Sequence, residues 1–440
     1  EQMWDVEGKE IDTYVVKKLL SFYPEYFHKH VLGEELRLTL RVPNPTVETT
    51  EAKILLETLE SIPRSYDAAR LFYERDVAPI FEVILPMTTS AKCVDRIYRY
   101  YVDHIIDRQH TPFRGGDITI SEWVGEFSPS NIEVIPLFED APTMVRAADI
   151  VEEYLADKDV TDQRVFLARS DTAMNYGLVS AALANKIALS RLDELSARSG
   201  VRIHPIMGMG SAPFRGGLSP TTAERVGREY PSAVTFSIQS AFKFDYPSDE
   251  VRAACQHLKT RAIGPAAPVD VEHALEVMDR YSTAYRQHIV ELAPQINRMA
   301  KYVPARRARK LHIGLFGYAR ELGGVSLPRA ISFTCSLYSL GLPPELIAFD
   351  ALTEDDLTFV LETYPSFKAK VSEALRFTDF QSPLMTDSLR NSLERAGYSF
   401  SENAEHLDLV RRMRSSLDRG DTTQLTDLVS RAAILRRFLG

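Results

Sequence analysis

The amino-acid sequence predicts an α/β fold, a TIM-type (β/α)8 barrel with additional C-terminal helices. Three observations support this prediction. Apolar, β-branched runs recur along the chain, helical periodicity separates most of them, and several runs end on charged residues. Near-continuous apolar strands alternating with helices are typical of a parallel sheet, and eight such strands favour a closed barrel over an open sheet.

The predicted strands follow one another at spacings that leave room for a helix in most intervals. They cover 2–8, 36–42, 79–87, 131–140, 163–171, 202–210, 233–240 and 310–317. The start of the chain at Glu1 already reads like the middle of a domain, so we expect a segment upstream of it. If that segment contains a strand, one of these eight lies outside the barrel.

Two of the intervening segments show clear helical periodicity. In the first, Ile54, Leu55, Leu59 and Ile62 recur on one helical face, and the segment 94–106 repeats the pattern. After about residue 345 the chain becomes helical and charged. We therefore expect a catalytic barrel over 1–345 and, over 346–440, a helical extension that packs on the barrel and is not an independent domain.

Composition narrows the functional classes. The chain has 440 residues and a net charge of −9, which gives no global basic footprint for nucleic acid. No apolar run is long enough to span a bilayer. The three cysteines are far apart with no CxxC pair, a pattern that suits a reducing cytoplasm. The basic run 304–310 could bind phosphate, although a solvated face is the commoner explanation.

Carboxylates end several predicted strands: Asp5 with Glu7, Glu139 with Asp140, and Asp171. In a parallel barrel these strand ends converge on the face that carries active sites. Oxygen ligands without histidine or cysteine suit Mg²⁺ or Mn²⁺, so Glu139 and Asp171 are the candidate metal ligands. Any one of these groups could instead form a structural ion pair, and Asp171 could be a helix N-cap.

Four arginines lie beside predicted strand ends or loops: Arg41, Arg215, Arg320 and Arg329. A guanidinium matches the oxygens of phosphate and carboxylate and stays charged. Taken singly, each is more often a surface or salt-bridging arginine. Their contexts, a strand end for Arg41 and the flanks of GGVSLP for Arg320 and Arg329, favour an anion site.

Arg215 belongs to the glycine-rich segment 208–217, GMGSAPFRGG. It is neither a dinucleotide fingerprint, because Pro213 stands where a third glycine is needed, nor a Walker A loop. It predicts a mobile turn whose amides and arginine are available to an anion. The word PFRGG also occurs at 112–116, but that copy follows a helix and precedes a strand. We expect Arg114 to lie on a surface turn.

The chain resembles phosphoenolpyruvate carboxylase of the compact archaeal type over essentially its whole length. The matching segments, in chain order, are EQMWDVEGKE, LRLTLRVPNPTVE, ETLESIPRSYD, FEVILPMT, VIPLFED, VFLARSD, MGMGSAPFRGG, KLHIGLFGYAR, GVSLPRAISF and RRFLG. The resemblance implies a cytoplasmic carboxy-lyase that packs as a homotetramer. Its implied reaction converts phosphoenolpyruvate and bicarbonate to oxaloacetate and phosphate, through carboxyphosphate and a metal-stabilised enolate, and supplies the tricarboxylic acid cycle.

The same resemblance implies roles for individual residues. Glu139 and Asp171 match the ligands of Mg²⁺ or Mn²⁺. Arg215 and Arg41 match catalytic arginines, Arg41 facing phosphate or bicarbonate. Substrate contacts are also implied for Arg320, Arg329, Gly216 and Gly217. The large enzymes of the family carry a histidine and an arginine where this chain has Met207 and Met209, and we expect the family's His-Pro motif upstream of Glu1. A polypeptide beginning at Glu1 should then be weakly active or inactive.

Two other functions fit the same residues. An aldolase or lyase on a metal-dependent barrel would also use a glutamate, an aspartate and an arginine, but would not depend on bicarbonate. An inactive barrel serving as a binding module would keep its metal affinity after Glu139→Gln or Asp171→Asn.

Overall fold

The computed structural model describes residues 1–6, 12–48, 52–305, 321–322, 324–399 and 401–440. Within them lie seven of the predicted strands, each shorter than its predicted range. The eighth, 310–317, lies outside the described residues, as do Glu7 and Arg320. The seven are β1 Gln2–Asp5, β2 Leu38–Arg41, β3 Glu82–Leu85, β4 Glu133–Phe138, β5 Asp162–Ala168, β6 Arg202–Gly208 and β7 Thr235–Ser237.

These strands form one sheet in chain order, from β1 to β7. The pairs β1–β2, β2–β3, β3–β4 and β6–β7 are parallel. All four residues of β3 are buried, and so is β4 from Val134 to Phe138, as a parallel sheet covered on both faces requires. The α/β class and the parallel sheet are thus confirmed, while closure into an eight-stranded barrel stays a prediction.

Helices occupy most of the intervals between the strands. Up to β7 they are α1 Val15–Phe22, α2 Pro24–Lys29, α3 Ile54–Tyr73, α4 Ala91–Arg99, α5 Ile120–Val124, α6 Ala141–Val145, α7 Ala147–Leu155, α8 Ser170–Ser199 and α9 Ala223–Glu229. Both predicted helices are found. The second passes from α4 into a π-helical segment, Tyr100–Ile106, instead of continuing as an α-helix. A 3₁₀ turn follows at Asp107–His110.

Among the described residues after β7, helices predominate, with one two-stranded antiparallel hairpin, β8 Glu321–Leu322 and β9 Val325–Ser326. Its helices are α10 Ser240–Phe244, α11 Ser248–Thr260, α12 Val271–Ala300, α13 Ala330–Leu340, α14 Glu354–Thr363, α15 Phe367–Leu375, α16 Asp387–Arg395, α17 Ala404–Arg419 and α18 Leu425–Arg436. Short 3₁₀ turns lie at Pro213–Arg215, Pro344–Leu346 and Phe349–Ala351. No helix in the described ranges is long and apolar enough to cross a membrane.

The chain divides into two compact units. The first contains Glu1–Phe138 and Asp149–Val165, and it holds β1 to β4. Its Glu82 carboxylate, at the start of β3, is buried and accepts hydrogen bonds from Arg37 and Arg164, both at 2.9 Å. Arg164 also binds Glu1 at 2.6 Å. Because a buried carboxylate is costly unless paired, this cluster secures the N-terminal ends of the strands.

The second unit contains Glu139–Ala148 and the described residues of 166–305 and 321–440. Its C-terminal helices share a core with earlier ones. Met299 of α12 and Cys335 of α13 belong to the same buried cluster as Val410 and Met413 of α17 and Val429 of α18. Shared burial of this kind stabilises the whole unit at once, since none of these helices keeps a separate apolar core there.

Candidate functional site

The two candidate metal ligands both lie in the second unit, and each follows one of two neighbouring strands of the sheet. Glu139 comes directly after β4 and is buried, and Asp171 lies in the first turn of α8, which begins two residues after β5. The Thr172 hydroxyl, next to Asp171, donates to the backbone carbonyl of Glu139 at 2.7 Å. This bond holds the two carboxylate-bearing strand ends side by side.

The structure shows which aspartate near these two strand ends caps a helix. Asp140 is the N-cap of α6, because its carboxylate accepts from the Thr143 amide at 3.0 Å and from its hydroxyl at 2.8 Å. Asp171 is not an N-cap, since Arg169 occupies that position of α8 and makes no side-chain cap bond. The alternative reading of Asp171 as a cap is therefore wrong, and its place in the first turn suits a negative charge.

Two carboxylates on adjacent strand ends fit a hard divalent cation. Mg²⁺ and Mn²⁺ are commonly held by one or two protein carboxylates and keep several water ligands. No group of three or more histidine, cysteine, aspartate or glutamate side chains that could hold a metal occurs among the residues described. Glu139 and Asp171 would leave room around such an ion for water or substrate oxygens.

The segment after β6, residues 209–217, is named here the glycine loop, and it is buried apart from half-buried Ser211. Its own backbone bonds close it: the Gly210 amide donates to the Arg215 carbonyl at 2.8 Å, and the Gly217 amide to the Ala212 carbonyl at 2.9 Å. The amides of Arg215 and Gly216 are bonded within the loop as well. The expectation that loop amides are available to an anion is therefore wrong for these positions.

Arg215 is 5% exposed and sits inside this loop. Its guanidinium donates to the Ser170 hydroxyl at 3.2 Å, to the Gln239 side-chain oxygen at 2.9 Å and to the Gly440 backbone oxygen at 2.7 Å. Gly210 leaves space for it, because a Cβ there would lie 2.8 Å from the guanidinium carbon. The contact with Ser170 places this arginine against the residue directly before Asp171.

Two buried ionisable side chains from later in the chain hold the glycine loop. The Lys370 ammonium, in α15, donates to the carbonyls of Pro213 and Gly216. The Glu345 carboxylate accepts from the Phe214 amide at 2.7 Å and from the Tyr338 hydroxyl at 2.9 Å. Burial raises the pKa of Glu345 to about 7, although these hydrogen bonds act in the opposite direction.

A fully buried arginine lies beside this region. Arg169 donates to the Leu178 carbonyl at 3.0 Å and to the Tyr364 hydroxyl at 3.3 Å, and its Nε and Nη1 have no hydrogen-bond partner among the described residues. Burial raises the pKa of Tyr364, but the positive charges of Lys370 and Arg169 outweigh it, so the pKa of Tyr364 is lowered. Lys370 and Arg169 thus place two positive charges close to Tyr364.

The other predicted site residues are placed as follows. Arg329 is exposed at the N-terminal end of α13 in the second unit. Arg41 ends β2 in the first unit, half-buried, and it is paired in register with Asp5 of β1. Arg320 lies outside the described residues. Arg215 lies against the segment that carries Asp171, through its bond to Ser170.

The first copy of PFRGG forms a surface turn, as predicted. Arg114 is 86% exposed, and its guanidinium lies 3.6 Å from the Asp117 carboxylate. The Asp117 amide donates to the Arg114 carbonyl, which closes the turn. The turn precedes α5, whose N-cap Thr119 forms a capping box with Glu122.

Sequence reasoning missed the side chains that surround Arg215. The local sequence gives no signal that Ser170 and Gln239 bind the guanidinium, or that Glu345 and Lys370 bind the loop backbone. Lys370 lies in a helix that mixes apolar and charged residues, which is typical of a helix at the protein surface. Arg169 stands at a predicted strand end, which indicated function without indicating its full burial.

Comparisons with known proteins confirm the family resemblance seen in the sequence. A family model described as phosphoenolpyruvate carboxylase matches residues 1–440. The chain is 53% identical over 441 residues to the phosphoenolpyruvate carboxylase of Methanothermobacter thermautotrophicus, covering 100% of this chain and 91% of that protein. It is 48% identical over 450 residues to the phosphoenolpyruvate carboxylase of Halobacterium salinarum, with the same coverage of both proteins. It is 50% identical over 387 residues to that of Pyrococcus abyssi, and this match covers 87% of this chain and 80% of that protein. The chain belongs to the archaeal-type phosphoenolpyruvate carboxylase family.

Proposed function

We propose that this enzyme, a carboxy-lyase by family, carboxylates phosphoenolpyruvate with bicarbonate to give oxaloacetate and phosphate. One observation carries the proposal within the second unit. Glu139 and Asp171 follow neighbouring strands, and the buried Arg215 binds Ser170, the residue next to Asp171. A cation site and a fixed guanidinium side by side are what a phosphorylated, carboxylated substrate requires.

Glu139 and Asp171 would hold Mg²⁺ or Mn²⁺, which supplies a Lewis acid for the substrate's oxygen atoms. Thr172 contributes by fixing the Glu139 backbone against the start of α8. Because the carboxylates are set by strand ends and a helix turn, little reorganisation is needed when the ion and substrate bind.

Arg215 would neutralise the phosphoryl group as charge moves during its transfer. In the proposed sequence a bicarbonate oxygen attacks phosphorus, the bond between phosphorus and the enol oxygen breaks, and carboxyphosphate and the enolate of pyruvate form. Carboxyphosphate then releases CO₂ and phosphate, and the enolate carbon bonds to CO₂. Burial of the glycine loop supports this scheme, because water would protonate the enolate.

We assign substrate contacts to Arg41, Arg320 and Arg329, and we assign Gly216 and Gly217 to the substrate site as the turn that carries Arg215, since their amides are bonded within the loop. Their support is the family match together with the strand-end and helix-start positions of Arg41 and Arg329. A guanidinium at each position would bind phosphate, carboxylate or bicarbonate oxygens.

The proposal extends to architecture and setting. We infer a closed barrel over 1–345 on which 346–440 packs, supported by the strand order and by the core that α17 and α18 share with α12 and α13. We also propose a homotetramer that works in the cytoplasm and replenishes the tricarboxylic acid cycle. The three free cysteines, Cys93, Cys255 and Cys335, suit a reducing compartment.

The test is bicarbonate-dependent formation of oxaloacetate by the full-length enzyme with Mg²⁺ or Mn²⁺, coupled to malate dehydrogenase. Glu139→Gln and Asp171→Asn should each lower kcat/KM by about 1000-fold and weaken Mn²⁺ binding. Asp140→Asn is the matched control, since its carboxylate caps α6 and should affect stability only. Oxaloacetate formation without bicarbonate, or none at all, would overturn the proposal.

A further inference from the structure

The Lys370 ammonium makes an unusual set of bonds for a buried charge. It is 2% exposed, yet it donates to two neutral carbonyls, those of Pro213 at 3.2 Å and Gly216 at 2.6 Å, and it also bonds to the Tyr364 side chain. Tyr364 lies beside it, with the ring centre 5.5 Å from Nζ. Burying an ammonium is costly, so the bonds it makes must be well formed. Both carbonyls meet the ammonium only when the glycine loop has this conformation.

Glu345 holds the same loop from a different element. Its Oε1 accepts both the Phe214 amide and the Tyr338 hydroxyl, and the side chain is 1% exposed. Lys370 thus binds two loop carbonyls, one before and one after Arg215 in the sequence. Glu345 binds the amide of the residue that precedes Arg215. The loop backbone is therefore held by two side chains from outside the loop in addition to its own backbone bonds.

The loop also makes room for the lysine. A Cβ at Gly217 would lie 3.3 Å from the Lys370 Nζ and 3.3 Å from the Cα of Pro213, and Gly217 has a φ of +72°. A larger residue would press on the ammonium and on the backbone that it binds. The second glycine of the word RGG therefore serves the lysine contact as well as the turn.

We propose that Lys370 and Glu345 are positioning residues, which fix the glycine loop in the conformation that presents Arg215 to the phosphoryl group. This inference rests on the proposed function, which gives Arg215 its role. Neither residue needs to touch substrate. Their effect comes through the backbone at Pro213, Phe214 and Gly216, and so through the direction of the guanidinium.

The first test compares Lys370→Met with Lys186→Met by hydrogen exchange and mass spectrometry. Lys186 is a matched control, because it is also buried in the second unit but binds Glu229, at 2.8 Å, and no atom of the loop among its recorded bonds. Both variants should melt at lower temperature. Only Lys370→Met should speed amide exchange across 209–218, by about tenfold or more, because the carbonyls of Pro213 and Gly216 lose this donor and must accept from water instead.

The second test is kinetic. Lys370→Met should lower kcat by about 10- to 100-fold with a smaller change in KM for phosphoenolpyruvate, since a misdirected guanidinium weakens the transition state most. Lys186→Met should keep kcat within about threefold of the wild type, because its effect is on stability. Equal loop exchange in the two variants, or an unchanged kcat in Lys370→Met, would overturn the inference.

If Lys370→Met does not fold, Glu345→Leu gives the same test from the other side. Leucine fits a fully buried position but leaves the Phe214 amide without its acceptor, so loop exchange should again rise. Wild-type protection of the loop in that variant would contradict the inference. Hydrogen exchange requires no substrate, so the two proposals can fail separately. If the wild-type enzyme makes no oxaloacetate, only the proposed function is overturned. If the enzyme is active but the variants keep the loop protected from exchange, only the positioning role is overturned.

Discussion

The two loops that share the word PFRGG differ in almost every physical respect. In the first, Arg114 is 86% exposed and its nearest acidic partner is Asp117, three residues away. In the second, Arg215 is 5% exposed and donates to Ser170, Gln239 and Gly440. The first loop closes on itself with local bonds. The second is completed by residues far away in the sequence.

The difference shows that five identical residues do not determine their own environment. Position decides it: the second copy follows β6 directly, and the first lies between the 3₁₀ turn Asp107–His110 and the helix α5. The strand brings the second copy to side chains that can surround it. A short motif therefore predicts function only together with the element that precedes it.

The largest contrast should be in catalysis. Arg215→Ala should lower kcat/KM by about 100- to 1000-fold, because it removes a fixed charge from the proposed phosphoryl site. Arg114→Ala, the same change in the same word, should leave kcat/KM within about twofold of the wild type. The coupled oxaloacetate assay measures both. Comparable losses in the two variants would mean that the word PFRGG, and not its position, carries the function.

The next contrast is in stability at the first glycine of RGG. At Gly216 the backbone has φ +114°, and a Cβ would lie 2.9 Å from Met209. At Gly115 nothing lies within 4 Å of a Cβ. Gly216→Ala should lower the free energy of unfolding by about 2–4 kcal/mol, and Gly115→Ala should change it by less than about 0.5 kcal/mol. Urea unfolding decides this, and equal values would contradict the geometry of the loop.

A third contrast concerns pH, because the buried loop is bound to an acid that titrates near neutrality. The pKa of Glu345 is raised by burial from its usual 4.5 to about 7. The folded enzyme therefore favours the protonated form of Glu345. The stabilisation that this gives is fully present below about pH 4.5 and is lost as the pH rises through about 7. Glu345→Gln cannot titrate. The difference in unfolding free energy between wild type and variant should change by up to about 3 kcal/mol across this window.

Thermal or urea unfolding of both proteins between pH 5 and 8 measures that difference, although other groups add their own pH dependence to each. Those contributions cancel in the subtraction. A difference that stays constant with pH would show that Glu345 is already ionised in the folded enzyme at pH 5.

The smallest effect should come from the first loop. Asp117→Asn removes the charge that faces Arg114 but keeps an oxygen for the Ile118 amide. Exposed ion pairs contribute little, so the free energy of unfolding should change by no more than about 0.5 kcal/mol, with kcat unaffected. A larger change would reveal a partner for this turn that the structure of one chain does not contain.

Much of the fold was predictable because its signals are local. Apolar runs placed all seven described strands, and helical periodicity placed α3 and α4. The boundaries were less accurate: predicted strands ran up to three residues past the observed ends, and β5 began one residue before its predicted start. Residues such as Asp171, placed at the end of a predicted strand, already belong to the next helix. The π-helical turn at 100–106 has the same periodicity as an α-helix in sequence and was not predictable.

The site was predictable only as far as strand ends reveal it. Glu139 and Asp171 stand at such ends, and Thr172 brings them together. Lys370 and Glu345 were not predictable, because their partners in the glycine loop are 154 and 131 residues away. Nothing in the helix of Lys370 distinguishes a lysine that is buried against carbonyls from one that is solvated.

Those long separations have a consequence for the order in which the enzyme is made. Synthesis proceeds from the N-terminus, so the glycine loop leaves the ribosome more than a hundred residues before Glu345 and Lys370 do. Until they arrive, β6 and the loop sequence exist without the bonds that shape the loop. Because contacts between distant residues form slowly, the loop should acquire its native conformation after the sheet beneath it. A nascent chain can therefore hold a formed sheet while the glycine loop still lacks its bonds to Glu345 and Lys370.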